Sequence, residues 1–133
     1  MKIYMKWWWY LLPAYLTLWT VAFSLWNLID GEGMMAAFQV DTGGASAFIM
    51  LNSAARYVAI AVTMMVGIWI FRTYQSILTA LIARLVMDVL DLYAGLEAEI
   101  IQGAAGVVQS LLMFLLPNLL AILLLVRKRE QEK

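Results

Sequence analysis

The sequence has no cysteine and no histidine, two prolines, and only 14% charged residues. Without thiols or imidazoles it forms no disulfide, CxxC redox centre, thiolate nucleophile, histidine-ligated metal or haem, or imidazole-dependent triad. Nine basic residues balance nine acidic ones, so no bulk field suggests nucleic acid or an acidic partner. With no catalytic constellation and no metal set in view, the reading leans away from an enzyme.

What is abundant is apolar surface. Hydrophobic residues fill 65% of the 133 positions and the mean hydropathy is +0.84, where a soluble domain has roughly 45–50% apolar and 25% charged residues. This composition predicts an integral membrane protein. A spanning helix takes about 20 mostly apolar residues, and four such runs are present, at 7–29, 47–71, 73–93 and 100–126. Between the first two, the acidic stretch 30–46 holds Asp30-Gly31, Gly33, Asp41 and Gly43-Gly44 and reads as a turn-bearing loop, with a short interfacial helix over 34–40. Arg72 marks the second turn and 95–99 the third, connections short enough to make successive helices antiparallel neighbours. The expected fold is therefore an all-α integral membrane domain over 1–133, an antiparallel four-transmembrane-helix bundle.

Orientation follows from the basic residues. Lys2, Lys6, Arg72, Arg127, Lys128, Arg129 and Lys133 fall on the side of the two termini, whereas Asp30, Glu32, Asp41, Glu97 and Glu99 fall on the other. The positive-inside rule makes both termini cytoplasmic. The first apolar run exceeds a signal-peptide core and reads as an uncleaved helix. Trp7, Trp8, Trp9 and Tyr10 are placed at the inner interface and Trp26 near the outer one, where amphipathic rings are favoured. Nine methionines read as packing residues.

Four charges interrupt the apolar runs: Arg56 in helix 2, and Arg84, Asp88 and Asp91 in helix 3. A charge at mid-membrane costs about 2.5–3.5 kcal/mol even on the lenient insertion scale, so it turns inward and finds a partner. Positions 84, 88 and 91 share one stripe of a helix. At 1.5 Å per residue Arg56 lies about 14 Å, Arg84 about 12 Å and Asp88 about 6 Å from the outer ends of their runs. A neutral network in which Arg56 bridges to Asp88 or Asp91 is expected. Thr17, Thr20, Ser24 and Asn27 on helix 1, Asn52 and Thr63 on helix 2, and Gln102, Gly103, Gly106, Gln109 and Ser110 on helix 4 form stripes expected to face inward with it. An outward-opening polar cavity and a tightly packed polar core would use the same residues. A purely structural alternative pairs Arg84 with Asp88 along helix 3 and lets Arg56 snorkel outward. Pro13 and Pro117 predict local kinks.

The spans "SAARYVAIAVTMMVGIWIF" and "IARLVMDVLDLYAGL" resemble the small bacterial four-helix membrane proteins of the DoxX-like group and its uncharacterised relatives. The resemblance rests on Arg56, Gly67, Arg84, Asp88 and Asp91 and covers about half the chain. It implies a four-helix bundle, often without an assigned activity. Some members of that group are associated with quinone or thiol chemistry, and a thiol role does not carry over to a chain without cysteine. Small multidrug exporters are less similar: their membrane carboxylate lies in helix 1, whereas the first acid here is Asp30.

Two functions follow. In the first, the chain binds a small amphipathic molecule (a lipid, quinone or sterol-like compound) with Arg56 and Asp88 orienting its polar head, and Arg84, Asp91, Asn52 and Gln109 completing the ionic core. No cofactor is predicted unless that quinone or lipid is one. In the alternative, the chain is an accessory or assembly subunit of a larger membrane complex or a homo-oligomer, surrounded by membrane lipids. Transport with Asp88 and Asp91 as a proton relay ranks behind both.

Overall fold

The computed structural model describes residues 1–37, 47–97 and 103–131. Four helices carry these residues: α1 (Leu11–Ala37), α2 (Ala47–Met64, continued by a π-helical stretch Met65–Phe71), α3 (Tyr74–Glu97) and α4 (Gly103–Gln131, with a π-helical stretch Leu111–Leu115). They pack side by side as α1 on α2, α2 on α3, α3 on α4 and α4 on α1. Among the described residues, the stretches Trp7–Ala37, Leu51–Phe71 and Gly103–Gln131 are long and apolar enough to cross a membrane. Helix α3 has comparable length but bears Arg84, Asp88 and Asp91.

A 3-10 turn, Trp7–Tyr10, leads into α1 and leaves Pro13 within the first helical turn. There the proline has little intrahelical bonding to break, so Pro13 marks a helix start where the sequence suggested a kink. The real break in α1 is Asp30, whose φ of −147° and ψ of 71° are non-helical. Its carboxylate accepts the Gly33 N–H at 2.9 Å, capping the next helical turn as aspartate does at an N-cap. The apolar run thus changes direction where its first charge stands. Of the suggested interfacial helix over 34–40, residues 34–37 belong to this last piece of α1. The remainder lies outside the described residues, as do Asp41, Gly43, Gly44, Glu99, Gln102 and Lys133.

Helix α2 ends at Arg72, which adopts the left-handed conformation (φ 53°, ψ 27°) and sends its N–H to the Gly67 carbonyl at 3.3 Å. Thr73 and Ser76 then cap α3 reciprocally: Ser76 N–H donates to Thr73 Oγ1 at 3.1 Å, and Thr73 N–H to Ser76 Oγ at 3.0 Å. This is the capping-box arrangement with serine in the third helical position. Two residues therefore suffice to reverse the chain. Gly67 lets α2 and α3 approach closely, since a Cβ there would stand 2.7 Å from the Ser76 carbonyl oxygen.

The N- and C-terminal segments gather at this turn. Ile3 N–H donates to the Arg72 carbonyl at 2.8 Å, and the Arg129 guanidinium stacks 4.1 Å from the Tyr74 ring centroid. Beside them lies the apolar core, in which Trp9, Leu16, Met64, Ile68, Leu81 and Leu125 are wholly buried. Trp9 departs from its expected interfacial position. It is sealed inside and its indole N–H donates to the Ala121 carbonyl at 3.1 Å, which satisfies the polar tip of a buried ring.

Candidate functional site

Beyond the apolar core the interior becomes polar, with Thr20, Ser24 and Asn27 of α1, Arg84 and Asp88 of α3, and Asn118 of α4 all buried. Arg84 holds Asp88 one turn along α3 through two contacts, Nη2 to Oδ1 at 2.8 Å and Nε to Oδ2 at 3.0 Å. The bidentate fork fits a carboxylate as no single amine does. Arg84 Nη1 also donates to Thr20 Oγ1 at 2.6 Å, whose own proton goes to the Leu16 carbonyl at 2.7 Å. The Phe114 ring, presented by the π-helical stretch of α4, lies 5.7 Å from the guanidinium carbon. One buried cation thus touches three helices.

A second pair joins α2 to α3. Arg56 Nη2 meets Asp91 Oδ1 at 2.8 Å, with side chains 48% and 29% exposed. The other Asp91 oxygen accepts the Tyr57 hydroxyl at 2.9 Å, and Arg56 lies over the Tyr57 ring at 5.2 Å. Close by, Asn27 Nδ2 donates to Ser53 Oγ at 3.3 Å and ties α1 to α2. The two arginines are linked by successive ring contacts: Phe114 on Trp19 at 6.3 Å, Trp19 stacked on Phe23 at 5.4 Å, and Phe23 on Tyr57 at 6.2 Å.

The expected network therefore resolves into two pairs. Arg56 reaches Asp91, and Asp88 belongs to Arg84. The α1 stripe turns inward as its spacing suggested, but the α2 stripe does not, because Asn52 and Arg56 are exposed. Gln109 is exposed as well, 3.6 Å from Met113 Sδ, and stands apart from both pairs. Arg84 finds its partners within α3, α1 and α4, whereas Arg56 stands on the outward side of α2 and meets Asp91 at the α2–α3 seam.

Three contributors escaped the sequence reading. Asn118 is wholly buried, and its Nδ2 donates to the Leu81 carbonyl at 3.1 Å. It is the sole amide in the otherwise apolar run 111–126, a signal that should have pointed inward. Tyr57 and Phe114 gave no such signal, since aromatic residues are common throughout the chain.

An open groove of about 570 Å³ runs along the α2–α3 seam at its Gly67 end, lined by Val62, Thr63, Gly67, Thr73, Ser76 and Thr79. The two ion pairs are not part of its lining. Among the described residues, no group of three or more carboxylates assembles into a metal site. Comparison with protein-family models, with curated proteins and with solved structures yields no match to this chain.

Proposed function

We propose that the chain is an accessory or assembly subunit embedded in a bacterial inner membrane, docking through the α2–α3 surface around Arg56 and Asp91. Its four helices form an antiparallel transmembrane bundle with both termini cytoplasmic. Supporting this, Ile3 and Arg129 both contact the 72–74 turn, and the basic residues Lys2, Lys6, Arg72 and Arg127 to Arg129 belong to the same end. Large exposed side chains such as Leu18, Ile29, Val62, Ile70 and Leu123 suit a lipid-facing exterior. The kinship with the DoxX-like group belongs to the same proposal.

The observation that carries the docking role is the half-exposed Arg56–Asp91 pair on helices otherwise suited to lipid. A charge pair at that depth calls for polar cover from outside the chain. The buried Arg84–Asp88 pair makes no such demand, being bonded within the fold. The second reading is a small amphipathic ligand, such as a lipid, quinone or sterol-like compound. It is favoured by the Tyr57 ring beside the exposed guanidinium, a combination that can stack an apolar body and bind a polar head.

Native mass spectrometry of the protein, extracted gently from its own membranes, separates the two. A stoichiometric polypeptide companion that is lost in Arg56→Ala supports the assembly role. A solitary chain carrying a discrete small adduct, lost in the same variant, overturns it in favour of the ligand.

A further inference from the structure

We infer that the partner at the α2–α3 surface is a second copy of this chain, related by a two-fold axis along the membrane normal and exchanging Arg56–Asp91 contacts with it. The inference rests on the assembly reading above and names its partner.

The argument begins with depth. A two-fold axis along the normal places every residue level with its own copy. Arg56 and Asp91 are bonded at 2.8 Å and so share one level. Two copies facing each other across this seam bring guanidinium opposite carboxylate twice, closing a neutral ring of four charges. The interface is self-complementary without any change of sequence. A different transmembrane partner would have to supply its own matched acid and base at that level. The pair lies nine residues from Ala47 on α2 and six from Glu97 on α3, about 14 and 9 Å along the two helix axes.

The neighbouring side chains are compatible with such a contact. Asn52, one turn from Arg56 and exposed, carries both a donor and an acceptor, so it can bond either kind of polar group on a facing helix. Ala55 and Ala59 flank Arg56 on the same exposed face. Side chains this small let two helix backbones approach closely in a bilayer. They provide clearance, whereas the ion pair supplies the specificity.

The absence of cysteine makes the test direct. Cross-linking of Ala59→Cys in native membranes with a short bifunctional thiol reagent, able to reach across the diagonal between the two α2 helices, should give a covalent dimer, while Leu18→Cys on α1 and Leu123→Cys on α4, both exposed, remain monomeric. Adding Arg56→Ala or Asp91→Ala should lower the Ala59→Cys yield roughly tenfold, the scale of one strong interhelical polar contact. The decisive experiment co-expresses the two charge variants, each with Ala59→Cys and its own tag. Only the mixed dimer retains one bridge, from Arg56 of one chain to Asp91 of the other, so it should clearly exceed the one-half share of all dimers that random pairing of equal amounts gives. A merely statistical mixture overturns the exchange. No Ala59→Cys dimer, together with a different stoichiometric polypeptide in the native spectrum of the unaltered chain, overturns the second copy and leaves the assembly role standing. A solitary unaltered chain overturns both.

Discussion

Arg84 and Asp88 bond each other one turn apart on α3 through two contacts of 2.8 and 3.0 Å, with side chains only 3% and 6% exposed. Because the cation also reaches Thr20 on α1 and faces Phe114 on α4, its loss affects more than one helix. The pair is a structural centre before it is anything else.

Removing one member leaves the other charge buried and uncompensated. Asp88→Ala should therefore destabilise the fold by about 3–5 kcal/mol, the usual range for breaking a buried pair. Replacing both, as Arg84→Met with Asp88→Leu, should cost less than either single change, since no charge is then stranded. Equilibrium unfolding in detergent, followed by tryptophan fluorescence, tests the order. A double variant weaker than Asp88→Ala would contradict this account.

The Arg56–Asp91 pair should behave differently in the same assay. It is partly exposed, so the long Arg56 side chain can turn outward when its partner is lost, as the enclosed Arg84 cannot. Asp91→Asn should thus shift chain stability far less than Asp88→Ala, and Tyr57→Phe should cost about 0.5–1.5 kcal/mol for its hydrogen bond. Equal losses at 88 and 91 would show that the second pair is as deeply structural as the first.

Gly67→Ala should loosen the α2–α3 seam. The added Cβ meets the Ser76 carbonyl oxygen at 2.7 Å and the Ala80 Cβ at 3.1 Å; backbone cannot swing aside, so an overpacking cost of about 1–3 kcal/mol is expected. The groove beside Gly67 offers no relief, because the clash is with α3 itself. Faster proteolysis at the 72–73 turn would report the loosening, and unchanged cleavage and stability would refute it.

Trp9→Phe should preserve most of the packing but remove the bond to the Ala121 carbonyl, costing about 1 kcal/mol plus the volume difference. Trp9→Ala should cost about 3–5 kcal/mol. Trp7→Ala, at an exposed position, should change stability little. If Trp7 and Trp9 proved equivalent, Trp9 would be no core residue.

Much of the helical layout was legible because long apolar runs have few alternatives. The turn at Arg72, the break at Asp30 and the inward face of Thr20, Ser24 and Asn27 all follow from charge placement and helical spacing. Which charge takes which partner was not legible. Arg56, Arg84, Asp88 and Asp91 lie within two turns of one level, and pairing depends on helix rotation, which periodicity leaves open on an all-apolar surface. Asn52 and Gln109 were assigned inward by that same periodicity and point outward, since the interior was already filled by Arg84, Asp88 and Asn118. Trp9 shows the corresponding limit for aromatics: a run of three tryptophans reads as a belt, yet one of them turns into the core.

The difference between the two ion pairs also orders the chain's assembly. Arg84 and Asp88 belong to one helix and can neutralise each other as soon as that helix winds. Under the proposed membrane insertion, the least apolar helix would enter a bilayer with its countercharge already attached. Arg56 and Asp91 have no such independence, for each waits on the neighbouring helix. With only Arg72 and Thr73 between α2 and α3, the proposed insertion would favour their entry together as a hairpin, and an insertion machine that released α2 early would release it with a bare cation.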